Sequence, residues 1–189
     1  MERSLKSSLE VGQSFYARVA DELLSHGNTL GRLISYHGYT LMSRNEEIDK
    51  FINEKRVEYQ LAAIRVFSQN MQQRAMSQDE KLDLSPFGGP SADTLRRSFE
   101  KGADAQEIQT SSHGQLVSGI VPIFSRTESK AVVGLLVTQR FIPGDLVNRL
   151  NEIPSGLDEF KQFKLLKRPI KTIHLITLSF VTLLIIFAS

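Results

Sequence analysis

The sequence predicts an α+β fold: long N-terminal helices, then an antiparallel sheet, then an amphipathic juxtamembrane helix running into a transmembrane helix. Three observations predict it. Apolar residues recur every three to four positions through residues 1–60, the period of a helix. β-branched and aromatic runs separated by short polar turns follow Gly102. Residues 173–189 are almost purely apolar.

The helical reading begins with Leu5, Leu9, Gly12, Tyr16, Val19, Leu23 and Leu30. Ser25, Gly27 and Asn28 look like an interruption, so a second helix is expected over Leu30 to Met42. Ser43 or Asn45 then resembles an N-cap, with Glu46 and Glu47 in the first turn where carboxylates favour the helix dipole. Ile48, Phe51, Ile52 and Tyr59 extend an apolar face to about Gln60. The run Ala62–Phe67 fits either a helix extension or a strand. Its β-branched content and the turn-like Ser68-Gln69-Asn70 favour strand, turn and a short second strand near Arg74 to Ser77.

Asp83 to Pro90 is a loop, marked by Ser-Pro and Gly-Gly-Pro. Ser91 caps a helix from Ala92 to Lys101, and Gly102 stops it. Strands are expected over Gln106–Ser111, Leu116–Phe124 and Lys130–Phe141, joined by His113-Gly114-Gln115 and by the polar tip Ser125–Ser129. Val132–Val137 is apolar on both faces, which predicts a central strand covered on both sides. Pro143-Gly144 ends the sheet, and Asp145–Asn151 forms a short helix. The final amphipathic helix carries Leu157, Phe160, Phe163, Leu166 and Ile170 on one face, with a kink at Pro169. The chain thus divides into a helical region 1–60, a sheet domain 61–151, a juxtamembrane helix 152–172 and an apolar helix 173–189 cut short by the end of the sequence.

Composition narrows the function. Hydrophobic residues are 41% and charged ones 23% of 189 residues, ordinary for a globular protein. A net charge of +2 provides no field for nucleic acid. Without cysteine there are no disulfides, thiolate metal sites or thiol nucleophiles. Met1 to Glu10 lacks the apolar core of a secretory signal. If the domain is exported, an upstream anchor is expected before Met1. A spanning helix needs about 20 apolar residues, with a lower limit of about 17, and residues 173–189 meet that limit. The alternative is a helix buried in a soluble core. Lys161, Lys164, Lys167, Arg168 and Lys171 just before this segment favour a cytoplasmic placement. Long domains translocate largely regardless of such charge, so orientation stays open.

Several stretches resemble NtrY-type nitrogen-regulation sensor histidine kinases. Ser8–Tyr16 looks like the helix leaving that family's earlier membrane span. Gly119–Ile123, Val132–Val137 and Phe141-Ile142-Pro143 look like its late strands. Phe163–Lys171 running into an apolar helix is the most specific piece. The resemblance implies a PAS-like Cache sensor over residues 61–151, periplasmic, anchored in the bacterial inner membrane between two membrane helices. It further implies HAMP, PAS, histidine-phosphoacceptor and ATPase modules beyond the second helix. ATP and Mg, and the cognate response regulator, belong to those modules. The expected partners of this region are the membrane, a second copy in a homodimer, and a small-molecule or periplasmic ligand. The family's first membrane helix is absent from this sequence.

Candidate sites are few. His26, His37, His113 and His174 form neither HxxxH nor HExxH, so no metal is expected. Gly88-Gly89-Pro90-Ser91 before a helix could cradle an anion, but it lacks the GxxxxGK(S/T) spacing, and a plain turn plus cap is the favoured reading. Asp83, Asp93 and Asp104 are scattered, and no catalytic arrangement stands out. Ser118, Thr138 and Arg140 interrupt apolar strands. Such residues either orient a bound small molecule or are satisfied by their neighbours. Arg96-Arg97 can bind an anion or form a solvated helix face. The apolar stripes of Leu5–Leu23 and Leu157–Ile170 either pack in a dimeric bundle that relays helix displacement across the membrane, or cover the domain's own core. Rival functions are the ligand-binding domain of a chemoreceptor-like receptor, and a cytoplasmic interaction protein with a C-terminal membrane anchor.

Overall fold

The computed structural model describes residues 2–37, 46–126 and 131–149. Residues 13–148 form one compact unit. In chain order the elements are α1 (Glu2–His37), α2 (Glu46–Glu58), β1 (Ala63–Ser68), β2 (Gln73–Gln78), a 3-10 turn at Ser85–Phe87, α3 (Ala92–Lys101), β3 (Ala105–Ser111), β4 (Gly114–Phe124) and β5 (Val132–Pro143). Residues 144–149 are helical. The strands form one antiparallel sheet in the order β2-β1-β5-β4-β3.

β5 is central, as its two-sided apolar run requires: Gly134 to Gln139 are all buried. One face carries Ile64, Val66, Val117, Val121, Ile123 and Leu136 against α1 and α2. The other carries Phe67, Ile120, Leu135 and Val137 against α3, and Ala63 and Leu116 against Leu84 and Phe87.

The expected break after Ser25 is corrected: α1 continues unbroken through it to His37. The small residues there are contacts. A Cβ on Gly27 would lie 3.1 Å from both Val121 methyls, and a Cβ on Gly119 would lie 3.0 Å from the Leu23 Cβ. Leu23 of the helix therefore sits over Gly119 of β4, and Val121 of β4 sits under Gly27 of the helix. The gain from this close approach outweighs the cost of about 1 kcal/mol for a mid-helix glycine. The expected helix at Leu30–Met42 is thus the end of α1, with residues 38–45 outside the described part, as are the cap candidates Ser43 and Asn45. Val19, Leu23, Leu30 and Ile34 pack into the domain's own core.

α2 ends without glycine. Leu61 N–H donates to Arg56 O at 2.9 Å and Gln60 N–H to Val57 O at 3.2 Å, a Schellman closure with Gln60 at φ 52°. α3 follows its expected bounds. The Ser91 hydroxyl accepts from Thr94 N–H, and Gly102 takes the left-handed conformation. The β3–β4 hairpin turns at Ser112-His113. Gly114 is obligatory there, because a Cβ would fall 2.3 Å from Ile142 O.

Candidate functional site

A polar row crosses the sheet on the α3 side. Cross-strand register places Gln139 opposite both Ala63 and Ser118, and Ser118 opposite Glu107. Arg65 and Gln109 stand two residues along β1 and β3, on the same face. Ser118 and Gln139 are fully buried. Buried polar side chains cost stability unless bonded, and these are linked. Gln139 Nε2 donates to Ser118 Oγ at 2.9 Å, and Arg65 Nε donates to Gln139 Oε1 at 3.1 Å.

The loop from Asp79 to Ser91 lies over this row and is tied to it. Arg65 Nη2 donates to Gly88 O at 2.9 Å, and Gln109 Nε2 donates to Gly89 O at 2.9 Å. Ser91 donates through its N–H and its hydroxyl to the Glu107 carboxylate, at 3.1 and 2.9 Å to one oxygen. The Gly88–Ser91 cradle thus turns at its glycines, caps α3 with its serine, and takes as its anion the chain's own Glu107.

Arg65 is the distinctive group. Its other bond goes to the Gln73 side chain, so it has no carboxylate partner among the described residues. Burial alone pulls its pKa down from the usual arginine value. Gln109 Oε1 is buried without a hydrogen-bond partner. A half-buried guanidinium with neutral partners under a tied loop is suited to a small ligand bearing an acidic group.

The three residues expected from sequence are divided between the two faces. Ser118 belongs to the polar row. Thr138 faces α1, where its hydroxyl donates to Leu23 O at 2.9 Å deep in the core. Arg140 also faces α1, and forms a two-pronged pair with Glu22 at 2.8 and 3.1 Å. Its hydrogen bonds, then its charge and that of His26, hold the Glu22 carboxyl below the usual range against the opposing effect of burial. Arg96 pairs with Asp93 on an exposed helix face.

His26 stacks on Tyr59 with ring centroids 4.3 Å apart. His113 lies in the hairpin turn, and His174 lies outside the described residues. Among the described residues no group of three His, Asp or Glu is placed to hold a metal ion. No described helix is long and apolar enough to cross a membrane. The segments 152–172 and 173–189 fall outside them.

No family model matches the chain, and no curated protein matches it. Solved structures do. The ligand-binding domain of the Campylobacter jejuni chemoreceptor Tlp3, in complex with L-norvaline, matches at 13% identity and TM-score 0.52, over 78% of this chain and 59% of that one. The two share a fold. The sensory domain of Tlp3 in a second structure matches at 11% identity and TM-score 0.50, over 78% of this chain and 61% of that one. The E. coli DcuS sensor domain matches at 15% identity and TM-score 0.48, over 72% of this chain and 95% of that one. This chain therefore spans about three fifths of the Tlp3 domains it matches.

Proposed function

We propose that the chain is the extracytoplasmic signal-sensing region of a membrane-bound sensor histidine kinase of the nitrogen-regulation, NtrY type. The observation that carries the sensing part is Arg65, half-buried beneath a tied loop on a sensor-type sheet with no anionic partner. The kinase part rests on the juxtamembrane likeness of Phe163–Lys171 and the apolar run that follows. A small molecule with a carboxylate or similar acidic group binds the Arg65 guanidinium and replaces its bond to Gly88 O. The loop from Asp79 to Ser91 is then released or re-tied, and the shift passes through the sheet to α1. Catalysis, ATP and the response regulator belong to modules beyond this region.

A thermal-shift screen of the full chain against nitrogen metabolites and small carboxylates tests this. A ligand present at 100 times its Kd stabilises by about 2.7 kcal/mol. The stabilisation is expected to vanish in Arg65→Met and to be partly kept in Arg65→Lys. A panel that leaves Tm unmoved, or a hit indifferent to Arg65, refutes the ligand site. Protease cleavage at Ser125–Ser129 from the periplasmic side of spheroplasts tests orientation, and protection there favours the cytoplasmic, C-terminally anchored alternative. The chemoreceptor-like alternative draws on the Tlp3 likeness. Sequence beyond Ser189 separates it, since kinase boxes support our reading and a long methylatable coiled coil supports the other.

A further inference from the structure

A second concavity opens at the end of the sheet where β1 begins and β5 ends, away from the Asp79–Ser91 loop's ties to Arg65. Its volume is about 750 Å³, within the range of small-molecule sites. α1 contributes Glu22, the α2–β1 junction Arg56, Val57 and Gln60, the segment after β2 Lys81 and Leu82, and β5 Arg140 and Phe141.

The charges here are unevenly matched. Arg140 is neutralised by Glu22. Arg56 spends its Nε on the Ser77 hydroxyl at 3.0 Å. Neither Arg56 nor Lys81 has an ion-pair partner among the described residues. Asp79, the other carboxylate of the cleft, accepts from the Lys81 backbone N–H at 3.0 Å, and the three cations against two carboxylates leave an excess of one positive charge. Apolar side chains share this lining. Val57 is 60% exposed on α2, an uncommon place to leave a bare β-branched side chain, and Leu82 and Phe141 face it only partly buried. Unmatched cations beside an uncovered apolar wall are complementary to a carboxylate with an apolar body.

We infer that this cleft is a second binding site, selective for a small monocarboxylate carrying an aromatic or branched aliphatic group. The carboxylate binds Arg56 and Lys81, and the apolar body covers Val57, Leu82 and Phe141. Arg65 is not among its residues, although Lys81 and Leu82 belong to the loop that Arg65 ties. It is also placed to influence the loop, because the Phe141 ring meets Phe87 edge-on at 5.8 Å, one residue before Gly88.

The chain contains no tryptophan, so Val57→Trp places a single fluorophore in the cleft wall. The full chain carrying Val57→Trp, held in lipid nanodiscs, is titrated with phenylacetate, benzyl alcohol and acetate, with empty nanodiscs subtracted. A saturable emission change is expected with phenylacetate. Affinity is expected to be about tenfold weaker for benzyl alcohol, which lacks the charge, and for acetate, which lacks the body. Lys81→Met, at an exposed position that cannot unfold the domain, is expected to weaken phenylacetate about fivefold, and Arg56→Met more. No saturable change with phenylacetate, equal affinity for benzyl alcohol, or indifference to Lys81→Met overturns the inference. The titration is run with Arg65 intact and with Arg65→Met: the phenylacetate response is expected in both, and a response lost with Arg65 would assign it to the loop-covered site and overturn the inference.

Discussion

At the scale of single residues, the sheet is read best through its interruptions. Gly119 shows how tight the helix contact is. Its missing side chain leaves room for Leu23, so Gly119→Ala forces α1 outward. The expected cost is about 1–3 kcal/mol, measured as a fall in Tm of about 2–4 °C per kcal/mol. The Glu22–Arg140 pair gives a pH signature. Its carboxyl titrates below the ordinary glutamate value in the folded chain. The stability it contributes is therefore fully present above about pH 4.3 and is lost as pH falls through the lower folded value. Glu22 is 45% exposed, so solvent screening limits the pair to about 0.5–1 kcal/mol. Glu22→Gln is expected to lower Tm at pH 7, and the gap to the parent is expected to close as pH falls through the lowered Glu22 value. A gap of constant size across the whole acid titration would reject the assignment. Ser118, Thr138 and Arg140 were legible as polar breaks in apolar strands. Their division between two faces was not, because alternation within one strand does not fix the register of its neighbour. Arg65 and Gln139 carry the same signal: a lone cation within Ala62–Phe67, and an amide between Thr138 and Arg140.

At the scale of elements, caps were legible and continuity was not. Ser91 and Gly102 bound α3 as their chemistry dictates. Ser25, Gly27 and Asn28 read as a break because local propensity ignores what lies across the sheet. Only Val121 and Asp104 explain them: Val121 fits under Gly27, and Asn28 Nδ2 donates to Asp104 at 2.8 Å. The end of α2 was also hidden, because Gln60 takes a conformation usually left to glycine. Gln60→Gly is expected to raise stability by about 1 kcal/mol through relief of that strain, read from the denaturant midpoint. Ser91→Ala should cost about 1 kcal/mol for the lost cap. Because the same hydroxyl bonds Glu107, the change should also increase hydrogen exchange over 85–91 ahead of α3.

At the scale of the whole molecule, the sheet order β2-β1-β5-β4-β3 was only half visible. The central place of β5 followed from its two-sided apolar run. That β1 would be its other neighbour did not, because no local signal pairs segments about seventy residues apart. This arrangement has a consequence for synthesis. Two hairpins, β1–β2 and β3–β4, leave the ribosome with no contact partner for their inner edges. The strand that joins them is the last to be translated, so loop closure between distant segments is the slow step. A nascent chain stalled with its end at Ala131 should be protease-sensitive, and one extended past Pro143 with the tunnel cleared should become resistant in a single step.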